Sequence, residues 1–244
     1  MELLQLAWRE NKILSSFNIA VLISGNGSNL QAVIDAVNDG HISNAEVRLV
    51  ISTSKEAFGL ERAEKNGIPN MVIDRRDTVK LLETLENYET EGIVLAGYLA
   101  ILPPDIVKAY SKKIINIHPA LLPMFGGKGF YGLKIHQAVI ASGVKYSGAT
   151  AHIVDSGVDT GAALVRSVVP VLPEDTAESL QKRVLKAEHI ILVQAVKAMV
   201  ENRIEDMIKN PVVLIDAKDR EGVYEYAEDL IELGRAITGE EKTV

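Results

Sequence analysis

The chain contains no cysteine. One absence thus excludes disulfides, thiolate metal sites and a cysteine nucleophile, and it fits a reducing compartment. No uncharged apolar run approaches the roughly 20 residues that a membrane span needs. Glu2, Arg9, Glu10 and Lys12 stand where a signal peptide would carry its apolar core. A cytoplasmic protein that meets no membrane is therefore expected. Basic residues are not in excess: 26 Lys and Arg face 33 Asp and Glu, a net charge of −7. A nucleic-acid surface would call for the opposite sign, so no nucleic-acid partner is expected. Internal repeats and low-complexity tracts are also lacking.

What is present is a chain of 244 residues, 47% of them apolar, enough for one large α/β domain with appendages. Apolar runs at 19–24, 46–52, 70–74, 92–97 and 113–117 alternate with stretches of helical spacing at 29–38, 57–66, 77–88 and 103–110. This order predicts a mostly parallel, Rossmann-like doubly wound sheet with right-handed crossovers. Past residue 145 two runs, 147–154 and 163–171, are joined by Asp155-Ser156-Gly157-Val158-Asp159-Thr160-Gly161 with no helix between. They predict a C-terminal antiparallel extension of the sheet. Thr176 is placed to cap a long helix reaching about Val200. Residues 1–17 are expected to form a helical N-terminal extension, residues 18–206 the main domain, and residues 207–244 a C-terminal extension with an acidic helix near 221–237.

The most informative junction is Gly25-Asn26-Gly27-Ser28-Asn29-Leu30-Gln31, directly after the first apolar run. A strand that turns through two glycines into a helix presents unpaired N–H groups, and the helix dipole adds to the pull on a phosphate. The dinucleotide fingerprint would need a third glycine where Leu30 stands, and an acid where the second run ends in Ser52-Thr53-Ser54. The lysine of a triphosphate loop is missing too. One phosphate monoester on a substrate is the expectation, against a plain βα turn with no ligand.

The fifth run ends Asn116-Ile117-His118-Pro119. Asn116 and His118, two apart, share a strand face, and polar side chains in so apolar a strand need partners or a ligand. By themselves a strand-end histidine reads as a satisfied structural residue, Asp159 as a turn residue bonding its own backbone, and Glu188 as a solvated helix acid. His118, His152 and Asp159 could also converge on a metal, but no short paired-histidine spacing supports that, and no metal is expected. His41, His136 and His189 carry no comparable context.

The stretch Asn116-Ile117-His118-Pro119-Ala120-Leu121-Leu122-Pro123, with Asp159 in Val158-Asp159-Thr160-Gly161, resembles the signature of the folate-dependent formyltransferases. Among them, the loop Ser24 to Gln31 is similar only to that of the phosphoribosylglycinamide formyltransferases. The resemblance runs from about residue 18 to about residue 206, through Ala57-Phe58-Gly59-Leu60-Glu61-Arg62-Ala63 and Val94-Leu95-Ala96-Gly97-Tyr98. It implies the formyltransferase fold and direct formyl transfer from 10-formyltetrahydrofolate to the amine of glycinamide ribonucleotide, in de novo purine biosynthesis.

By the same resemblance, Asn116, His118 and Asp159 are the catalytic residues. Amine attack on a formyl carbon builds an oxyanion, a cationic amine and a folate nitrogen that must gain a proton. Asn116 can donate to the oxyanion. His118 as a cation can do likewise and supply a proton, with Asp159 stabilising that cation. Thr150 and His152 take supporting positions. Gly27, Ser28 and Asn29 are implied to hold the phosphate and Glu188 the ribose hydroxyls. The pterin slot is implied at Leu99, Ala100, Ile101 and Leu102 and at Asp155, Ser156, Gly157 and Val158, with simple core packing as the other reading. The two small molecules are the expected partners, and a homodimer is compatible.

Three departures stand out. Many relatives have an arginine at the Ala100 position and a lysine or glutamine at Leu185, and the segment Met124 to Gly132 differs from the most familiar members. Alternatives are a formyltetrahydrofolate hydrolase or other-amine formyltransferase of the same fold, and a non-catalytic folate- or nucleotide-binding relative.

Overall fold

The structure, a computed structural model, describes residues 16–215. Of the helical extension expected over residues 1–17, residue 16 is in no element and Phe17 opens a strand; its other residues, and the helix expected near 221–237, lie outside the described residues.

Strand β1 (Phe17–Ile23) is buried along almost its whole length, and its alternate residues face two different cores. Ile19, Val21 and Ile23 pack with helix α1 (Ser28–Asn38) and with the long helix α6 (Ala177–Val200) in one apolar cluster. Ala20 and Leu22 join the other cluster, which Leu81 and Leu85 of α3 (Thr78–Asn87) and Ile106 of α4 (Pro104–Ala109) complete. A strand apolar on both faces is what a sheet covered by helices on both sides requires.

The remaining strands are β2 (Ala45–Ser52), β3 (Asn70–Val72), β4 (Gly92–Leu95), β5 (Ile114–His118), β6 (Tyr146–Ile153), β7 (Ala163–Pro170) and β8 (Val212–Ile215). They form one sheet in the order β3-β2-β1-β4-β5-β6-β7-β8. Pairing is parallel from β3 through β5 and antiparallel for β5–β6 and β6–β7. The sequence expectation of a parallel half with an antiparallel extension therefore holds. The chain winds outward from β1 to β3, then returns to lay β4 on the other side of β1. That reversal opens a crevice at the carboxyl ends of β1 and β4, where ligands of such sheets bind.

Helix α2 (Phe58–Lys65) follows β2. Pro103 precedes α4, with a proline in its first turn, and Thr176 caps α6 through a reciprocal bond with Ser179. Three elements had no counterpart in the sequence reading: α5 (Leu133–Ser142), α7 (Ile204–Lys209) and β8. The buried face of α5 consists of Ile135, His136 and Val139, and a histidine within it interrupts the apolar period. The other two are short, six and four residues. Residues 212–215, expected in a separate extension, form a strand at the sheet's edge.

Candidate active site

The glycine-containing loop leaves β1 at Ser24 and enters α1 through Gly27, whose φ of 75° lies in the left-handed region that favours glycine. Gln31 N–H donates to Gly27 O at 2.9 Å, closing the first helical turn, and the N–H groups before it have no intrahelical partner. Behind this turn stands Glu188 of α6. It is not a solvated acid: its exposure is 7%, and burial pushes its carboxyl up to about 7, with the hydrogen bond from Asn29 acting the other way. Asn29 Nδ2 donates to Glu188 Oε2 at 2.7 Å. Asn29 Oδ1 is buried and has no hydrogen-bond partner among the described residues.

The second group of polar residues gathers at the end of β5 and on the loop after β6. His118 Nε2 meets Phe125 O at 2.9 Å, and Nδ1 lies 3.5 Å from Asp159 Oδ2. Both partners only accept, so the arrangement is fully satisfied with a proton on each ring nitrogen. Asp159 itself has a φ of 58°, a conformation that aspartate tolerates better than most residues, and its Oδ2 also accepts from Gly127 N–H at 2.9 Å. Its carboxylate is thus more than a turn residue: it bridges the β6–β7 loop to the loop after His118.

Asn116 is held by a neighbour. His152 Nδ1 meets the carbonyl of Ile153 at 2.9 Å, and burial lowers the pKa of this histidine, so its Nε2 is the acceptor for Asn116 Nδ2 at 3.0 Å. The second amide hydrogen has only a long contact, 3.5 Å, to Asp159 Oδ1. Thr150, fully buried, donates to Ala120 O at 2.7 Å and accepts from Leu122 N–H at 3.1 Å. It thereby fastens the loop that follows His118. No group of three or more His, Asp or Glu placed to hold a metal occurs among the described residues.

The segment after β4 lines the other side of the crevice. Leu99 and Ile101 are 64% and 71% exposed, unusual for such side chains, and Ala100 is half-buried. Leu102 instead points into the core beneath, so only its backbone can face a ligand. Asp155, Ser156, Gly157 and Val158 are exposed, and Asp155 Oδ1 shapes their turn by accepting from Gly157 N–H and Thr160 Oγ1. Ser24 Oγ accepts from Leu99 N–H at 3.0 Å and so ties this segment to the loop between β1 and α1.

Several contributors were not singled out from the sequence. Phe125 and Gly127 act through backbone atoms, which side-chain chemistry cannot reveal. Arg62 reaches Asn26 from α2. His189 follows Glu188, and its pKa is lowered by burial and by the Arg62 charge. His136, buried in α5, is held neutral, its pKa lowered to about 4 by burial and by His118.

A family model described as formyl transferase matches residues 17–196. A phosphoribosylglycinamide formyltransferase of Haemophilus influenzae is 38% identical over 82% of this chain and 94% of its own length. The chain belongs to the phosphoribosylglycinamide formyltransferase family. A chloroplastic member from Vigna unguiculata is 42% identical over 82% of this chain, which spans 66% of that relative's length. The crystal structure of the family member from Anaplasma phagocytophilum superposes with a TM-score of 0.71, at 39% identity, over 76% of this chain and 87% of that one.

Proposed function

We propose that the protein transfers the formyl group of 10-formyltetrahydrofolate to the amine of glycinamide ribonucleotide, as a step of purine biosynthesis. The observation that carries this is the pairing of two sites on one crevice. A phosphate-type helix start backed by Asn29 and Glu188 lies after β1, and the Asn116–His118–Asp159 cluster lies at the end of β5.

The ribonucleotide phosphate sits on the N–H groups of Gly27, Ser28 and Asn29. Glu188 and the unpartnered Asn29 Oδ1 supply acceptors for ribose hydroxyls. The pterin lies against Leu99, Ala100 and Ile101 and the backbone of residue 102, facing Asp155, Ser156, Gly157 and Val158. The amine then attacks the formyl carbon, forming the C–N bond, and the carbonyl oxygen takes the negative charge. Asn116 turns its loosely held amide hydrogen to that oxygen, while His152 keeps the amide oriented. His118, as a cation against Asp159, gives a second donor. Collapse breaks the bond to folate N10, which gains a proton as the attacking nitrogen loses one, through a water beside His118. The 3.5 Å contacts of Asp159 to His118 and to Asn116 leave both donors free to be drawn toward the reacting oxygen.

The decisive experiment mixes the protein with both substrates and identifies the products. Tetrahydrofolate should appear in step with formylated ribonucleotide, and only when the ribonucleotide is present. Formate release at a comparable rate without the acceptor would move the assignment to a hydrolase of this fold. We place the reaction in the cytoplasm or, as in the relatives named chloroplastic, in a plastid. No helix of the described residues is long and apolar enough to cross a membrane.

A further inference from the structure

The segment Ala57–Ala63 has no part in the chemistry above, yet it packs directly against the phosphate loop. Gly59 N–H donates to Gly25 O at 3.1 Å, and a Cβ on Gly27 would stand 2.7 Å from Gly59 Cα, so two backbones meet without side chains between them. From one turn further along α2, Arg62 reaches over the loop. Its Nε donates to Asn26 O at 2.9 Å and its Nη2 to Asn26 Oδ1 at 3.1 Å, while Nη1 lies 3.5 Å from Gln31 Oε1. The guanidinium carbon is 5.1 Å above the ring of Phe58. The guanidinium is thus spread over the tip of the loop and the first turn of α1.

Gly25 and Asn26 are exposed, and a glycine-flanked tip of this kind has many accessible backbone states. Convergence of successive N–H groups on one anion requires a single state. Two parallel bonds from a planar fork to the carbonyl and side chain of one residue fix the Asn26–Gly27 peptide, which sets the direction of the N–H groups that follow. We propose that Arg62 is the positioning residue of the phosphate seat: its fork holds Asn26 so that the α1 N-terminus is assembled before the ribonucleotide arrives. The role rests on the phosphate-seat reading above. A fixed positive charge beside the seat comes with it, but orientation of the loop is the function.

The test compares Arg62→Lys, which keeps the charge and loses the fork, with Arg62→Met, which loses both and keeps an unbranched side chain of similar reach. Ribonucleotide KM, folate KM, kcat and the Kd of inorganic phosphate are measured for each. Both variants should raise ribonucleotide KM and phosphate Kd at least tenfold and leave kcat and folate KM within twofold. Asn26→Ala, at an exposed position, should move the same two quantities severalfold, and adding it to Arg62→Met should cost little more. Wild-type phosphate affinity in Arg62→Lys would assign the effect to charge alone and overturn the proposal. Multiplicative losses in the double variant, or a fall in kcat with KM unchanged, would overturn it as well. The phosphate arm separates the two readings: if the wild type fails to formylate glycinamide ribonucleotide yet phosphate binding still depends on the fork, the function falls and the clamp stands.

Discussion

Glu188 gives the protein a predicted dependence of stability on pH whose size follows from its burial. Its carboxyl is raised from 4.5 to about 7 in the folded state. Below pH 4.5 both folded and unfolded chains hold the proton, and the group contributes no difference. Between pH 4.5 and 7 the unfolded chain ionises while the folded one keeps its proton, so stability falls as pH rises, and the full loss is present above pH 7. A shift of this size corresponds to about 3 kcal/mol. Glu188→Gln keeps the shape and the acceptor for Asn29 without the titration, so the loss disappears. In the ligand-free protein the two melting temperatures should agree at about pH 4, and at pH 8 the variant should melt several degrees higher, given roughly 2–4 °C per kcal/mol for a domain of this size.

On the proposed reading, in which Glu188 accepts from the ribose hydroxyls, the ribonucleotide reverses the preference. Two ribose hydroxyls donate better to a carboxylate than to a carboxylic acid, so binding favours the ionised form. In the wild type, ribonucleotide KM should therefore fall as pH rises through 7, with proton release on binding seen by calorimetry in two buffers of different ionisation enthalpy. The variant should lose that pH dependence and bind about tenfold or more weakly at pH 8. Parallel melting curves for wild type and variant from pH 5 to 8 would refute the argument, because they would mean that Glu188 is ionised in the folded protein at no cost.

Further outcomes follow from the site geometry. Asp159→Asn should lower kcat by about 10²-fold, comparable to losing a general acid or an oxyanion donor, and His118→Ala should act alike. Their double variant should lose far less than the product, and multiplicative losses would show that the two do not act as a unit. His152→Phe removes the acceptor that orients Asn116, so kcat should fall about tenfold with both KM values nearly unchanged; a raised folate KM instead would put His152 at the pterin. Gly27→Val places a side chain against Gly59 at a positive φ, and ribonucleotide KM should rise strongly with little change in folate binding. Ala100 is half-buried between the exposed Leu99 and Ile101, so Ala100→Arg should meet the folate glutamate tail, lowering folate KM modestly at low salt and losing the gain at high salt, as an exposed ion pair worth ~0–1 kcal/mol would.

The sheet was legible because each of its parallel strands lies in a short, mostly apolar run ended by a polar or glycine-rich break, and periodicity needs nothing more. Helix α5 was not, because His136 occupies its core face and a glycine-rich loop precedes it. The same contrast holds at the site. Asn116 and His118 stood out as polar residues in an apolar strand without an evident partner, whereas Asp159 by itself reads as a turn residue and was singled out only through the resemblance of its motif. Glu188 was misread by pattern, since one acid on an amphipathic helix looks solvated until the helix's rotation is known; α6 buries it at 7% exposure against Asn29.

Contacts that decide how the site is held were the least legible of all, and the reason is physical. Phe125 O and Gly127 N–H act on His118 and Asp159 through groups that every residue has, so their identities carry no signal. Arg62 lies 36 positions after Asn26 and meets it only because β2 runs parallel beside β1, which sets α2 beside the loop. The parallel order that predicts a crevice thus also dictates its wall. The segment after the second strand must return next to the first βα turn, and glycines at 27 and 59 are the residues that let the two backbones touch.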